Sequence, residues 1–404
     1  MFGFGKKVVD LDQDGLRQRL LDAFAKLDCP HVCADLTNSG IIGDLRGDKG
    51  KLIVELVLPT PALKDKEQLE RDVVAAAKAL LGEGVDVELA VSSDVRAAAG
   101  ARGGPNDLPG VKNVVVVASG KGGVGKSTVA SNLAVALAEM GCKVGMLDAD
   151  IYGPSAPTMF GIMEGTRPGT VPTKDPARSL IAPLERYGVK LMSIGFLVDT
   201  STPMVWRGPM IASAAMQLFK DVSWGELDYL VVDLPAGTGD VQLTISQQVL
   251  VAGAVVVSTP QDVALADVVR AKVMFDRVSI PVLGVIENMS YFICDGCNKR
   301  HEIFFHGGAR SAAAKMDVPF LGEVPIEPGV VSGGDRGKPV VRDAPDSTSA
   351  QAFFAIAREV ATAVAKMAHD QRDSFAAPTV SITGGSIRGP GDKSEKKAGL
   401  PIIS

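Results

Sequence analysis

The stretch Gly120-Lys121-Gly122-Gly123-Val124-Gly125-Lys126-Ser127-Thr128 decides the fold. It fits G-x-x-x-x-G-K-[ST], a phosphate-binding loop. The preceding Val114–Ala118 is an apolar, β-branched run that predicts a buried strand. Ser127–Met140 has helical spacing, with Val129, Leu133, Ala136 and Leu137 on one face. Strand, glycine loop and helix N-terminus together turn a concave set of backbone N–H groups toward a nucleotide's phosphates. Gly120, Gly122, Gly123, Val124, Gly125 and Thr128 belong to that cradle. Lys126 reaches the β- and γ-phosphates, and Ser127 ligates Mg²⁺. Lys121 occupies a position that the general motif leaves free.

Outward from the loop, residues 111–369 alternate strand and helix patterns. Continuous apolar runs at Val114–Ala118, Val144–Leu147, Leu191–Ile194, Tyr229–Val232, Ala254–Ser258, Val282–Ile286 and Phe320–Gly322 predict strands covered on both faces. The order predicts an α/β, doubly wound, mainly parallel sheet with its ligand at the strands' C-terminal ends. Ser347–Met367 reads as the last helix. Residues 10–91 form a small α/β module: helices at Leu16–Leu27 and Asp65–Leu81, strands at Lys51–Leu58 and Val85–Val91. Residues 92–110 are rich in Ala, Gly and Pro and read as a linker. Residues 370–404 carry little apolar content and read as a disordered tail.

The 404-residue chain has room for two domains, and its composition is ordinary for a globular protein. A net charge of −5 gives no reason to expect a nucleic-acid surface. No apolar run reaches membrane-spanning length, and Asp10, Asp12 and Asp14 follow Lys6 and Lys7 where a signal peptide would be apolar. A cytoplasmic protein is expected, with neither nucleic acid nor membrane as partner. The five cysteines are too scattered for a disulfide scaffold, so the close pairs read as metal or redox candidates.

Two carboxylate segments belong with the loop. Tyr229-Leu230-Val231-Val232-Asp233 is an apolar strand ending in Asp, suited to holding Mg²⁺ through its water shell. The continuation through Gly237 to Asp240 is a candidate γ-phosphate switch. Asp233 as a simple helix cap is the alternative. In Asp148-Ala149-Asp150 the two side chains point to opposite faces of an extended chain. Asp150, further into the loop, is the candidate for positioning the attacking water; a solvated acidic loop is the alternative.

Cys294-Asp295-Gly296-Cys297 follows a predicted strand and can direct two thiols at one metal. A four-iron cluster or a tetrahedral zinc wants four ligands. A two-fold dimer would supply four thiolates. A zinc knuckle completed by His301 or His306, and a redox dithiol, are the alternatives.

Lys121 with Lys126 resembles the deviant Walker A signature of the MinD, ParA and nitrogenase iron-protein ATPases. That likeness implies a Lys121 that reaches the partner's nucleotide across a homodimer. A cation supplied in trans stabilises transition-state charge once two chains close; a solvated surface lysine is the alternative. The loop, Asp148–Ser155, Trp206-Arg207-Gly208-Pro209-Met210, the Asp233 switch, Glu287-Asn288-Met289-Ser290, Ile303-Phe304, Gly307-Gly308 and the cysteine pair together resemble the Mrp/ApbC branch, the iron–sulfur cluster carriers. That resemblance implies ATP and Mg²⁺ as cofactors, catalysis by Lys121, Lys126 and Asp150, and a [4Fe–4S] cluster on Cys294 and Cys297 of two protomers. It also implies an adenine pocket at Asn288 and Pro325, with assembly factors and iron–sulfur apoproteins as partners. Ala236 and Asp295 stand where the branch usually has Pro.

Residues 10–91 resemble the small domain often fused to these carriers, but Thr60-Pro61 replaces its usual Cys-Pro. Cys29, His31 and Cys33 read either as incidental cysteines or as an accessory metal or thiol site. Other functions to be weighed are a MinD/ParA-like partitioning or positioning ATPase, and a zinc-stapled regulatory ATPase.

Overall fold

The computed structural model describes residues 9–29, 31–48, 50–82, 84–98, 108–150, 153–173, 175, 178–197, 208–237, 242 and 249–375. The N-terminal module contains α1 (Leu16–Phe24), β1 (Ile42–Asp48), β2 (Lys51–Leu58), α2 (Lys66–Leu81) and β3 (Asp86–Ser93). Strand β2 alternates buried and half-buried residues along its length, as a sheet covered on one face requires. It pairs antiparallel with β1 and parallel with β3. Leu20 and Phe24 of α1 and Leu69, Val73 and Ala77 of α2 are buried in the module's core. Helix α1 stops at Phe24, short of the predicted Leu27. Pro30 in the sequence disfavours helical geometry in the residue before it.

The second unit holds β4 (Val111–Ala118), α3 (Lys126–Glu139), β5 (Val144–Asp148), α4 (Ala156–Met159), β6 (Thr170–Pro172), β7 (Ser179–Ile181), β8 (Leu184–Arg186) and β9 (Val189–Ser193). It continues with α5 (Gly208–Lys220), β10 (Leu227–Asp233), β11 (Val251–Ser258), α6 (Asp262–Arg277), β12 (Val282–Glu287), β13 (Phe292–Ile293), β14 (Arg300–His301) and α7 (Gly308–Lys315). The last elements are β15 (Phe320–Glu323), α8 (Pro328–Asp335), α9 (Val340–Asp343) and α10 (Thr348–Phe375). The described residues build an eight-stranded sheet in the order β15-β12-β11-β4-β10-β5-β9-β8. It is parallel throughout except for β8, which runs antiparallel to β9 at the edge. Strands β5 and β10 are buried along their whole length because helices cover both faces. Register pairs Asp233 with Val117 on one side and Asp148 on the other. The phosphate-loop strand and two carboxylates therefore end at one edge of the sheet.

The segment read as a linker is partly packed. Val95, Ala98 and Leu108 are buried in the larger core, and the Ala98 N–H donates to Asn113 Oδ1 at 2.8 Å. Small apolar side chains that look linker-like in composition bury as readily as larger ones. Helix α10 runs on to Phe375, past the predicted end of order at residue 370, and Gln371 donates to the Ala98 carbonyl. Residues 99–107 and 376–404 lie outside the described residues. No helix among those described is long and apolar enough to cross a membrane.

The two units meet at the end of β2. Thr60 is fully buried and accepts a 3.0 Å hydrogen bond from the Tyr229 hydroxyl. Cys142 Sγ lies 3.9 Å from the same Thr60 oxygen, and burial pushes its thiol up to about 12. Lys64 donates its backbone N–H to Thr362 Oγ1 at 2.9 Å and pairs with Glu359 at 2.7 Å. Ala62 of the module joins the larger core, while Ala365 of α10 joins the module's core.

Candidate nucleotide and thiol site

The loop from Ser119 to Gly125 leaves β4 and enters α3 through Gly125, whose φ of +79° favours glycine. A Cβ on Gly125 would run into the Asn288 amide. Ser119 Oγ donates to the Lys121 carbonyl at 2.9 Å, and the Gly237 N–H donates to the Ser119 carbonyl at 2.9 Å. The loop is thus tied to the segment that follows β10. A Cβ on Gly123 would meet open space, so this part of the cradle is clear on its outer side.

Lys126 turns its ammonium inward. It is 6% exposed and pairs with Asp233, with Asp150 Oδ2 3.7 Å away and Ser127 Oγ at 3.3 Å. Asp233 is fully buried, and its Oδ2 has no hydrogen-bond partner. Burial pushes the Asp233 carboxyl up, against the pull of Lys126 and the Ser127 hydrogen bond. An orphaned carboxylate oxygen beside a phosphate-loop serine fits a hydrated divalent cation.

The two acidic residues after β5 have different surroundings. Asp148 is fully buried and accepts from the N–H groups of Asp150 (3.1 Å), Ser155 (3.0 Å) and Ala156 (3.0 Å), and from Ser193 Oγ (3.1 Å). It organises the backbone that carries Asp150. Burial and the neighbouring Asp233 charge push its carboxyl up to about 7. Asp150 is the one that faces Lys126. Beyond β10, Gln242 Nε2 donates to the carbonyls of Pro235 and Ala236 at 3.1 and 2.9 Å and holds the chain as it leaves the strand. Lys121 is half-buried in the loop, and among the described residues no acidic group pairs with it. Ile151, Tyr152, Trp206, Arg207 and Thr238 to Asp240 lie outside the described residues.

Asn288 follows β12 and is buried against the loop, its Nδ2 donating to the Val124 carbonyl at 2.9 Å. Pro325 is buried beside that segment. The Ser290 N–H bonds to the Val324 carbonyl at 3.0 Å, and the Ile326 N–H bonds to the Tyr291 carbonyl at 2.6 Å. The chain then enters the small β13–β14 hairpin, whose turn carries Cys294 and Cys297. The Cys294 N–H bonds to Lys299 O at 3.0 Å, and the N–H groups of Cys297 and Asn298 return to Cys294 O at 3.3 and 2.8 Å. Both cysteines are free, Cys297 exposed and Cys294 partly so. Hydrogen bonds from the Gly296 and Cys297 backbone, and from the Cys297 side chain, lower Cys294 below an ordinary thiol.

The sequence reading placed Glu287 in a motif but gave it no role. Its buried carboxylate accepts from Ser290 Oγ (2.6 Å), Gly307 N–H (3.0 Å) and Ala309 N–H (2.7 Å), fastening the start of α7 below the hairpin. A Glu at a strand's end before Asn-Met-Ser was the available signal. His306 Nε2 lies 2.7 Å from Glu323, which also meets Arg300 at 3.3 Å. Glu287, His306 and Glu323 form the metal-sized cluster found among the described residues; no such group there includes either thiol of the hairpin.

Residues 110–361 match the ParA family, described as the NUBPL iron-transfer P-loop NTPase. The iron-sulfur cluster carrier protein of Synechocystis is 43% identical over 341 residues, which is 84% of this chain and 95% of the relative. The iron-sulfur protein required for NADH dehydrogenase, mitochondrial, of Arabidopsis thaliana is 51% identical over 265 residues, 65% of this chain and 82% of the relative. Among solved structures, a nucleotide-binding protein in complex with ADP from Archaeoglobus fulgidus is 41% identical. It covers 57% of this chain and 88% of its own, with a TM-score of 0.49. The chain belongs to the ParA family of NUBPL-type iron-transfer P-loop NTPases.

Proposed function

We propose that this chain is an ATP-dependent iron–sulfur cluster carrier that holds a [4Fe–4S] cluster between two copies of itself and delivers it to apoproteins. The observation that carries this reading is the single segment from Asn288 to Cys297. At one end its amide touches the phosphate loop; at the other it presents two free thiols in an open turn. A cluster needs about four thiolates, and each chain offers two in this turn. That favours a homodimer over a zinc knuckle, since no His, Asp or Glu of the described chain completes the set.

Gly120 to Thr128 cradle the phosphates of ATP, and Lys126 neutralises their charge. Ser127 and Asp233 would hold Mg²⁺, which would supply charge stabilisation at the phosphates when bound. Asp150 orients the attacking water, and Lys121 reaches the partner's nucleotide. Asn288 and Pro325 would line the pocket for the nucleotide base. A change at the loop on closure or hydrolysis then reaches the thiols through Asn288 and alters cluster affinity.

Anaerobic reconstitution followed by iron and sulfide counting tests the reading. About four irons and four sulfides per two chains are expected, as a [4Fe–4S] cluster requires. A Cys294→Ala, Cys297→Ala double variant that keeps the same iron content overturns it.

A further inference from the structure

A second cysteine pair lies in the N-terminal module, packed with that module's core and not with the core around the phosphate loop. Cys29 and Cys33 face each other in the turn after α1, as an isolated antiparallel bridge. The Cys29 N–H donates to Cys33 O at 2.9 Å, and the Cys33 N–H returns to Cys29 O at 3.1 Å. Residues exchanging both bonds in this way stand about 5.5 Å apart at Cα, within the span that a disulfide bridges. Both cysteines are free. Access is unequal: Cys29 is 1% exposed, whereas Cys33 is half-buried.

The turn does not resemble a closed metal site. The His31 ring is turned toward Asp65, with Nε2 3.8 Å from its carboxylate. Among the described residues, no three-ligand cluster includes Cys29 or Cys33. Access divides the pair into two roles, since a reagent can reach the half-buried Cys33 but not the buried Cys29. The neighbouring Cys29 thiol, against some opposition from burial, lowers Cys33 to about 6; Ser39 and the backbone at Cys29 and Asp35 assist. Cys29 is pushed up by the neighbouring Cys33 and by burial. A low, accessible thiol beside a high, buried one is the arrangement of an attacking and a resolving cysteine.

We propose that Cys29 and Cys33 form a thiol–disulfide exchange site that reacts with low-molecular-weight disulfides. The Cys33 thiolate attacks one sulfur of the small disulfide, whose S–S bond breaks and releases one thiolate. The Cys29 thiol then gives up its proton and attacks the Cys33 sulfur of the mixed disulfide. The second small thiolate leaves, and the Cys29–Cys33 bond forms. The dithiol has lost two electrons and two protons, and the small disulfide has become two thiols. Two small thiols reverse the sequence. The turn lies at the seam between the units, since Val32 shares a cleft with Ala365 and His369 of α10. None of these residues belongs to the nucleotide or cluster site, so this inference stands or falls separately from the proposed carrier function.

The test uses the full-length protein with oxidised glutathione under anaerobic conditions at neutral pH. Residues 27–46 form one tryptic peptide containing both cysteines and no other. Mass spectrometry should show this peptide losing two hydrogens without retaining glutathione, and regaining them with excess reduced glutathione. Cys29→Ser should trap glutathione on Cys33. In wild-type protein, iodoacetamide should label Cys33 at least about tenfold faster than Cys29, the thiolate being the nucleophile. The inference fails if the wild-type peptide remains a dithiol, or if it retains glutathione with no internal disulfide. It fails equally if both cysteines resist alkylation until a chelator removes a metal. The wild-type measurements decide even where a variant does not fold.

Discussion

The Asn288 side-chain amide bonds to the Val124 carbonyl at 2.9 Å, across a sequence separation of 164 residues. Gly125 has to lack a side chain for this approach to exist. Asn288→Ala leaves the Val124 carbonyl without its donor, a loss of about 1–3 kcal/mol where the group is buried. ATP affinity should fall about tenfold, the equivalent of 1.4 kcal/mol. Cluster binding should persist, while the effect of ATP on cluster release to an acceptor disappears. Calorimetric titration and a cluster-transfer time course check both halves.

Lys121 carries the assembly prediction. Lys121→Ala should bind ATP nearly as wild type but hydrolyse it at least about a hundredfold more slowly, as loss of a cation supplied in trans implies. Mixed with Lys126→Ala, it should regain part of the activity, because a hybrid dimer has one site with an intact loop and a lysine from its partner. Steady-state phosphate release over a range of mixing ratios measures this. No recovery despite demonstrated hybrids counts against trans action.

Asp148 sets a pH dependence. Its folded-state value, pushed up to about 7, lies above that of an unfolded carboxyl near 4. Between those values the native chain retains a proton that the unfolded chain has released. The contribution to stability is therefore complete below about pH 4 and is lost as pH rises toward 7. Asp148→Asn should flatten this arm of the stability curve, while costing stability at low pH because an amide cannot replace every accepted hydrogen bond. Urea midpoints at several pH values for both proteins provide the comparison.

Thr60 tests the docking of the module. Thr60→Val preserves shape but removes the acceptor for the buried Tyr229 hydroxyl. A loss of about 1–3 kcal/mol is expected, since that hydroxyl is left unpaired. Adding Tyr229→Phe should recover much of it, as both polar partners are then gone. Chemical denaturation of the two single variants and the double variant closes the cycle.

The central sheet was legible because parallel strands buried on both faces are written as uninterrupted β-branched runs. Val114–Ala118 and Tyr229–Val232 show this, and both strands prove a few residues longer. The carboxylates at strand ends were legible for the same reason: a charge closing an apolar run marks the sheet's edge. Thr170–Pro172 and Ser179–Ile181 were not, the first exposed and the second largely half-buried, both too short to show a period. Composition misjudged Val95 and Ala98, because a docked segment and a free one can share the same small residues. The Asn288–Val124 bond and the Thr60–Tyr229 bond depend on chain regions brought together by the whole fold. No local pattern encodes them.

Helix α10 contributes Val360 and Val364 to the larger core and Ala365 to the module's. Successive turns of one rod are thus shared between two hydrophobic interiors, and neither interior can melt without exposing part of the other. Heating should give one calorimetric transition with matching calorimetric and van't Hoff enthalpies, the sign of a single cooperative unit. A single transition would mean that the two modules fold as one event. A residue changed at the far face of the small module can thereby alter how long the nucleotide site survives.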